Sequence, residues 1–152
     1  QNQYMDHALN AALDGQKLGE VPIGCVIIDE NKNILSITHN RVIGDNDPTA
    51  HAEILAIREA CSKIQASRLV NCSLYVTLEP CLMCMVAISN ARIRRIYFGA
   101  YASQMNEFSS KESSRYLSSR ECNHRPEIYG GILEEKNIEL IRAFFQSKRG
   151  LK

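Results

Sequence analysis

This chain of 152 residues lacks a marked excess of positive or negative charge. Its 18 lysines and arginines nearly balance 17 aspartates and glutamates, which leaves a formal net charge of +1. Bulk electrostatics therefore does not require a nucleic-acid partner, although a local basic patch would be enough to bind one. No apolar run approaches the roughly 18–20 residues of a membrane span, and the first residues lack the apolar segment of a signal peptide. These absences predict a cytoplasmic protein with no membrane partner.

Cysteine is too sparse to form a disulfide framework, because only six occur in the whole chain. Cys25, Cys61 and Cys72 lie within or beside apolar runs, and we expect them to pack as small hydrophobic side chains. Cys81 and Cys84 differ because they lie three positions apart at the start of a predicted helix. Side chains at this spacing are neighbours on a helix surface. The two thiols can therefore bind a metal, form a redox pair or simply pack.

The chain has no internal repeat, low-complexity tract or linker-like segment, so its length predicts one domain over residues 1–152. Hydrophobic periodicity predicts alternating helices and strands, with a polar loop and one short helix in between at 101–121. Their order favours an α/β domain in which helices flank a mixed sheet. The predicted helices cover about 4–18, 51–64, 81–91 and 134–149, and the predicted strands cover 21–29, 34–38, 73–78 and 94–100.

A second motif, His51-Ala52-Glu53, stands where another predicted helix begins. Alone, a histidine at such a position is more often a helix cap than a metal ligand. Together with Cys81 and Cys84, however, His51 completes a set of three zinc ligands and leaves a fourth tetrahedral position for water, as in catalytic sites. Glu53, two residues beyond His51, would stand beside the metal without binding it, where a proton carrier is needed.

Two other interpretations use the same cysteines. A redox dithiol has no use for His51 or Glu53. A closed structural zinc site needs a fourth protein ligand, and the remaining histidines, His7, His39 and His124, have no characteristic spacing to the motif. The combined motif therefore favours a catalytic zinc site over both alternatives.

The pattern H-x-E … P-C-x-x-C is the signature of zinc-dependent nucleobase deaminases. The segments EVPIGCVI, NDPTAHAEILAIR, LYVTLEPCLMC and ARIRRIYFGA also resemble the bacterial tRNA adenosine deaminase family, and the resemblance extends from about Tyr4 to Arg149. It implies the cytidine-deaminase-like three-layer α/β/α fold, with a mixed five-stranded sheet flanked by helices, and a homodimer. It also implies that the wobble adenosine of a tRNA anticodon is converted to inosine.

Carried over to this chain, the resemblance assigns one Zn²⁺ per subunit to His51, Cys81 and Cys84. Glu53 would take a proton from water and deliver it to the ring nitrogen and the leaving amine of the adenine.

The resemblance also assigns four residues to substrate binding. Asn40 would orient the flipped nucleoside, and Val21 and Pro22 would line the base pocket. The backbone N–H of Ala52 would donate to the base. Ordinary strand and helix packing is compatible with these roles of Val21, Pro22 and Ala52, and the alternative for Asn40 is a loop cap.

Basic side chains near the predicted active-site helix and at the end of the chain are candidate RNA contacts. Arg92, Arg94, Lys148 and Arg149 could bind phosphates of the anticodon stem-loop, although a solvated charged face explains each of them as well. Phe145 could face the substrate cleft, where an aromatic ring stacks favourably on a flipped base.

The chain departs from the family after the segment FGA. Family members commonly have an aspartate there, followed by lysine and glycine, whereas this chain has YASQMNEFSS, with no acid before Glu107. Free-base deaminases that act on guanine or cytosine share the motifs DPTAHAE and EPCxMC, so they are the alternative substrate class. A third possibility, a family member that keeps the fold only as an RNA-binding subunit, is disfavoured by the intact Glu53.

Overall fold

The structure, a computed structural model, describes residues 2–105, 108 and 111–150. Asn106, Glu107, Ser109 and Ser110 of the atypical segment lie outside the described residues. Helices and strands alternate along the chain and end in a long helix. The elements are α1 (Asn2–Lys17), β1 (Gly24–Ile28), β2 (Ile34–His39), α2 (Ala52–Ile64), β3 (Ser73–Leu78), α3 (Leu82–Asn90), β4 (Arg95–Ala100), a 3-10 helix (Ala102–Gln104), α4 (Lys111–Leu117), β5 (Glu127–Tyr129) and α5 (Glu134–Gly150).

The strands form one five-stranded mixed sheet in the order β2-β1-β3-β4-β5. β1 pairs antiparallel with both β2 and β3, whereas β4 runs parallel to β3 and to β5. β1 and β3 are buried along their whole length because they are central strands covered on both faces. Since β3 and β4 are parallel, the segments that follow their last residues, Leu78 and Ala100, meet at the same edge of the sheet.

Helices cover both faces of this sheet. α1 buries Met5 against Val26 and Ile28 on one face, whereas Cys25 and Ile27 point to the opposite face, which α2 and α3 cover. This alternation follows from the two-residue period of a strand. The arrangement confirms the predicted three-layer α/β/α fold with a mixed five-stranded sheet. Among the described residues, every helix is too short or too polar to span a bilayer.

Two strand predictions differ from the structure. β5 was not located from the sequence, because its three exposed residues have no alternating pattern and it forms only through parallel pairing with β4. β1 begins at Gly24 rather than at residue 21. Pro22 has no N–H for a ladder bond, and the Ile23 N–H donates to the Val21 carbonyl oxygen within a tight turn.

Side-chain burial confirms most of the predicted core. Cys25 and Cys72 are buried, and Cys61 is half-buried. The predicted apolar face of α5 also packs against the core. Its buried residues are Ile138, Ile141 and Phe144, and its half-buried residue is Phe145.

Gly24 lies directly under α1. A β-carbon there would collide with the Ala8 carbonyl oxygen and lie 2.8 Å from the Ala12 backbone nitrogen, so α1 would have to lift away from the sheet. We expect Gly24→Ala to lower the free energy of unfolding by about 3 kcal/mol, the upper end of the usual cost of overpacking. A urea titration measures this loss. Gly44→Ala is the matched control, because the nearest atom to its added carbon is a Glu20 carboxylate oxygen at 3.4 Å. Equal losses in the two variants would contradict the close approach of α1.

Candidate active site

The starts of two helices bring His51, Cys81 and Cys84 together. His51 is the N-cap residue of α2, Cys81 is the N-cap residue of α3, and Cys84 lies in the first turn of α3. Neither N-cap side chain hydrogen-bonds to the backbone of its own helix. The imidazole of His51 is therefore not a helix cap, and it remains free to bind a metal.

The three ligand atoms form a compact cluster. His51 Nδ1 lies 3.7 Å from Cys81 Sγ and 3.5 Å from Cys84 Sγ, and all three atoms lie within 4.8 Å of one another. In tetrahedral zinc sites, with zinc–nitrogen bonds of about 2.0–2.1 Å and zinc–sulfur bonds of about 2.3 Å, a nitrogen and a sulfur ligand are about 3.6 Å apart. The observed spacing therefore fits one zinc ion per chain, with its fourth position open.

The two thiols hold their protons with unequal strength. Hydrogen bonds from Cys84 and from His51 lower the pKa of Cys81 to about 4, so its sulfur is a thiolate at neutral pH. The hydrogen bond between Cys84 and Cys81, together with burial, raises the pKa of Cys84. The proton of this hydrogen bond therefore stays on Cys84 Sγ. A metal that binds both sulfurs therefore has to displace one proton.

Glu53 is a buried carboxyl beside this cluster and is only 4% exposed. Burial raises its pKa to about 7, against the opposing effects of a backbone hydrogen bond, His51 and Cys84. A carboxyl that titrates near neutral pH can take up and release a proton in one reaction cycle. Glu53 does not belong to the group of candidate metal ligands found among the described residues, as its predicted role as a proton carrier requires.

A cavity of about 190 Å³ opens beside His51, Glu53 and Cys81. Val21 is half-buried and Pro22 is buried. Neither is in the wall of the cavity, where Ile23 lies instead, so their contact with a base stays a prediction. The other described residues of the wall are Leu78, Glu79, Ala102 and Phe108.

Sequence reasoning missed these five wall residues. Glu79 could have been identified, because it belongs to the EPC motif and directly precedes the Pro-Cys pair. Its carboxylate accepts the N–H of Ala102 at 2.9 Å and so holds the atypical segment against the site. Ala102 and Phe108 had no such signal, because they reach the cavity only through the fold.

Asn40 lies at the end of β2 and is 5% exposed. Its Oδ1 accepts the Ala52 N–H at 2.8 Å, which fixes the start of α2 relative to the sheet. Its amide nitrogen has no partner in the described part of the chain. Because the Ala52 N–H already donates to Asn40, its predicted bond to a base would need that donor to be shared or exchanged.

The loop between Asn40 and His51 is anchored by a buried carboxylate. Glu20, 3% exposed, accepts the backbone N–H groups of Ile43 at 3.1 Å and Gly44 at 2.8 Å. A carboxylate that accepts such bonds holds a loop firmly, because each bond is charge-assisted. Glu20 therefore anchors the first part of the loop that leads to the candidate metal ligand His51.

The predicted RNA contacts fall into two groups. Arg92 lies beyond the end of α3, whose last residue, Asn90, is about 9 Å along the helix axis from Cys84, and Arg94 precedes β4. Both therefore lie away from the cavity. Phe145, in contrast, makes an edge-to-face contact with the wall residue Phe108, with ring centres 5.7 Å apart. Lys148 Nζ lies 5.5 Å from the centre of the Phe144 ring, near the same end of α5. The side chain of Arg149 lies outside the described part of the chain.

The remaining histidines do not complete a closed metal site. His39 Nδ1 lies 2.8 Å from the Asn40 carbonyl oxygen, and His124 Nε2 lies 2.8 Å from the Ile93 carbonyl oxygen. His7 is exposed on α1. None of them joins the three-ligand cluster within the described residues.

The cytidine and deoxycytidylate deaminase zinc-binding region matches residues 1–100 of the chain. The tRNA-specific adenosine deaminase of Rickettsia typhi is 43% identical, over 95% of this chain and 97% of that protein. A structure solved in studies of A-to-I editing by tRNA:A34 deaminases at the wobble position of transfer RNA is 40% identical, with a TM-score of 0.85 over 92% of this chain and 99% of its own. The guanine deaminase of Bacillus subtilis is less similar, with 31% identity and a TM-score of 0.67 over 97% of this chain and 92% of its own.

Proposed function

Since the chain belongs to the tRNA-specific adenosine deaminases of the cytidine and deoxycytidylate deaminase family, we propose that it converts the wobble adenosine of a tRNA anticodon to inosine. The reaction is hydrolytic and releases ammonia. The observation that supports it best is the buried Glu53 beside a cluster of one histidine and two cysteines. Neither a redox role nor a structural role of the two cysteines requires the carboxyl of Glu53 beside them.

Each residue of the site has a separate task in this reaction. His51, Cys81 and Cys84 would hold a zinc ion, which would supply an activated water molecule as the nucleophile. Glu53 accepts a proton from that water, because its raised pKa lets it hold the proton at neutral pH. It gives this proton to N1 of the adenine ring, then takes the second proton from the hydroxyl now bound to C6 and gives it to the amine, which leaves as ammonia. Burial keeps bulk water away from these transfers.

The aromatic residues beside the cavity suit an RNA substrate. Phe108 and Phe145 meet at the rim, where a neighbouring unstacked base could lie against either ring. Lys148 is exposed near the same end of α5 and could bind a phosphate. Arg92 and Arg94 could contribute only if the RNA extends well beyond the cavity.

We also propose that the protein acts as a homodimer in the cytoplasm, as the family resemblance implies. Sedimentation equilibrium at micromolar concentration should give the mass of two chains. A mass of one chain across that range would contradict the dimer.

Guanine deamination is the second candidate function, because the guanine deaminase of Bacillus subtilis shares the fold at 31% identity. The adenosine-editing relatives are closer in both sequence and structure. A free base also leaves the aromatic and basic residues at the rim without a substrate to contact.

Two matched anticodon stem-loops test the proposed substrate. One has adenosine at the wobble position, and the other has guanosine there and is otherwise identical. After digestion to nucleosides, mass spectrometry should find inosine only from the first. Absence of inosine from the first, with zinc bound to the protein, would contradict the proposed function.

Asn40 offers a test of substrate orientation. We expect Asn40→Ala to lower kcat/KM for the stem-loop about 10–100-fold, because the nucleoside and the start of α2 both lose their positioning group. Asn40→Asp keeps an oxygen for the Ala52 N–H but removes the amide donor, and it should remain impaired. Full activity of Asn40→Asp would mean that Asn40 acts only through Ala52.

A further inference from the structure

A second polar cavity, of about 330 Å³, lies at the opposite end of the sheet from His51, Cys81 and Cys84, the candidate zinc ligands that form the zinc cluster. Ser73 and Arg95, the first residues of β3 and β4, contribute to its wall. The zinc cluster follows the other ends of these strands, about 17 Å away for strands of six residues. The proposed deamination uses no residue of this cavity, apart from the candidate RNA contact Arg94.

Two hydroxyl groups of buried residues line this cavity. Tyr75 is 2% exposed and Ser73 is 8% exposed, but neither hydroxyl is among the fully buried unpaired polar atoms of the described residues, so both open onto the cavity. Burial raises the pKa of Tyr75 to about 12, so its hydroxyl stays protonated and can donate. The ring is fixed by stacking on Tyr97, with ring centres 4.5 Å apart. A hydroxyl that opens onto the cavity from a side chain held in place can donate to a ligand that accepts hydrogen bonds.

Two guanidinium groups stand at the same wall. Arg94 and Arg95 each reach Glu127 through Nε, at 3.5 Å and 3.7 Å. These pairs are partly exposed and longer than good hydrogen bonds, so they hold the arginines only weakly. Both side chains can therefore turn terminal nitrogens towards a ligand. Guanidinium is the side chain best suited to two-pronged binding of an oxyanion.

The carboxylates of the cavity do not cancel this preference. Asp29 Oδ1 is occupied by its own turn, where it accepts the N–H groups of Asn31 and Asn33 at 2.9 Å each. Glu30 is exposed. The cation Lys32 adds to the two arginines, so three cations and two carboxylates line the cavity, and Glu127 beside the arginines adds a third carboxylate that is not part of the wall.

We propose that this cavity binds a phosphate group, with Ser73, Tyr75, Arg94 and Arg95 donating hydrogen bonds to its oxygens. The phosphate could belong to the backbone of the RNA substrate or to a free phosphate or phosphate monoester. Both sources offer the same tetrahedral set of acceptors. The site is separate from the catalytic cavity. It gives a role to Arg94, which lies too far from the zinc cluster to contact a base in the catalytic cavity.

Three variants test this site. Tyr75→Phe removes one hydroxyl and keeps the stacked ring. The double variant Arg94→Gln with Arg95→Gln removes both guanidinium groups. Lys17→Gln is the control for loss of a surface charge. Lys17 is exposed at the far end of α1, about 20 Å along the helix from the cavity residue Tyr4.

The first measurement uses inorganic phosphate. At constant ionic strength, replacing chloride by phosphate should raise the melting temperatures of the wild type and of Lys17→Gln by about 2–4 °C more than those of the other two variants. The general stabilising effect of phosphate is common to all four proteins and cancels. This measurement does not depend on RNA editing, so it stands or fails separately from the proposed function.

The second measurement uses the wobble-adenosine stem-loop across a salt series. If the phosphate belongs to RNA, the double variant should bind about tenfold more weakly, and its slope of log affinity against log salt should fall by about 0.7 for each RNA phosphate that it no longer neutralises. A phosphate effect without this change would identify a free phosphate or phosphate monoester as the ligand. If the double variant binds the stem-loop more weakly but phosphate shifts its melting temperature as much as that of the wild type, the ligand is a phosphate of the RNA backbone. Equal phosphate shifts in all four proteins, together with equal salt slopes, would overturn the site.

Discussion

Glu53→Gln should bind zinc and fold normally while its kcat falls about 10²–10⁴-fold, the usual contribution of general acid–base catalysis. Glutamine has nearly the same shape, so it fills the buried position of a side chain that is 4% exposed. It cannot accept a proton from water or carry it to the base. The loss should therefore appear in turnover, with little change in stem-loop affinity. Glu53→Ala should lose turnover in the same way and also keep its zinc.

Glu59→Gln is the matched control for Glu53→Gln. Glu59 also lies on α2 but is exposed, so its substitution should change neither turnover nor zinc content. Metal analysis should give one zinc per chain in all these proteins. Wild-type turnover by Glu53→Gln or Glu53→Ala would show that another group carries the proton, and the proposed mechanism would be wrong.

Cys84→Ala should weaken zinc binding by more than 100-fold, since even the outer partners of zinc ligands contribute about 10–100-fold to affinity. The loss has a direct cause, because Cys84 Sγ lies 3.5 Å from His51 Nδ1 and belongs to the three-ligand set. Purified Cys84→Ala should therefore contain almost no zinc and release no ammonia. Elemental analysis after dialysis against a weak chelator measures this.

Cys61→Ala is the control for the loss of a thiol. Cys61 is half-buried on α2 and does not belong to the metal-competent group in the described part of the chain. It should keep its zinc through the same dialysis. Full zinc occupancy in Cys84→Ala would remove Cys84 from the ligand set.

Within each motif, the arrangement of the candidate site residues could be predicted because short-range spacing determines local helix geometry. Three residues along a helix place Cys81 and Cys84 side by side, and a helix start presents His51 and Glu53 in different directions. The three ligand atoms meet in the structure because the fold brings the starts of α2 and α3 together, which spacing alone does not determine. The central strands could be predicted for a similar reason, because continuous β-branched runs are typical of buried strands.

Features that depend on tertiary contacts could not be predicted in this way. β5 forms only because β4 offers a parallel partner. Ile23 lines the cavity where Val21 and Pro22 were expected, since a tight turn precedes the strand. The basic run before β4 was interpreted as one cluster near the site, but the direction of the strand carries Arg94 to the opposite end of the sheet.

The atypical segment after β4 also had no sequence signal for its position. The structure holds its first part through the Glu79 carboxylate and through Gln104, whose side chain accepts the Tyr101 N–H at 2.8 Å and donates to Glu134 at 3.2 Å. Further along, Phe108 reaches the cavity wall. The segment therefore contributes Ala102 and Phe108 to the wall of the candidate active-site cavity.

The most direct test of the central claim is ammonia release from two substrates under the same conditions. The wild-type protein is offered a stem-loop with wobble adenosine and, separately, free guanine, and kcat/KM is compared. If the chain edits RNA, kcat/KM for the stem-loop should be at least about 10³-fold higher than kcat/KM for guanine. A site built for one substrate strongly rejects another that leaves its buried polar groups unpaired. Turnover of guanine with no inosine in the stem-loop would contradict the claim and assign the chain to free-base deamination.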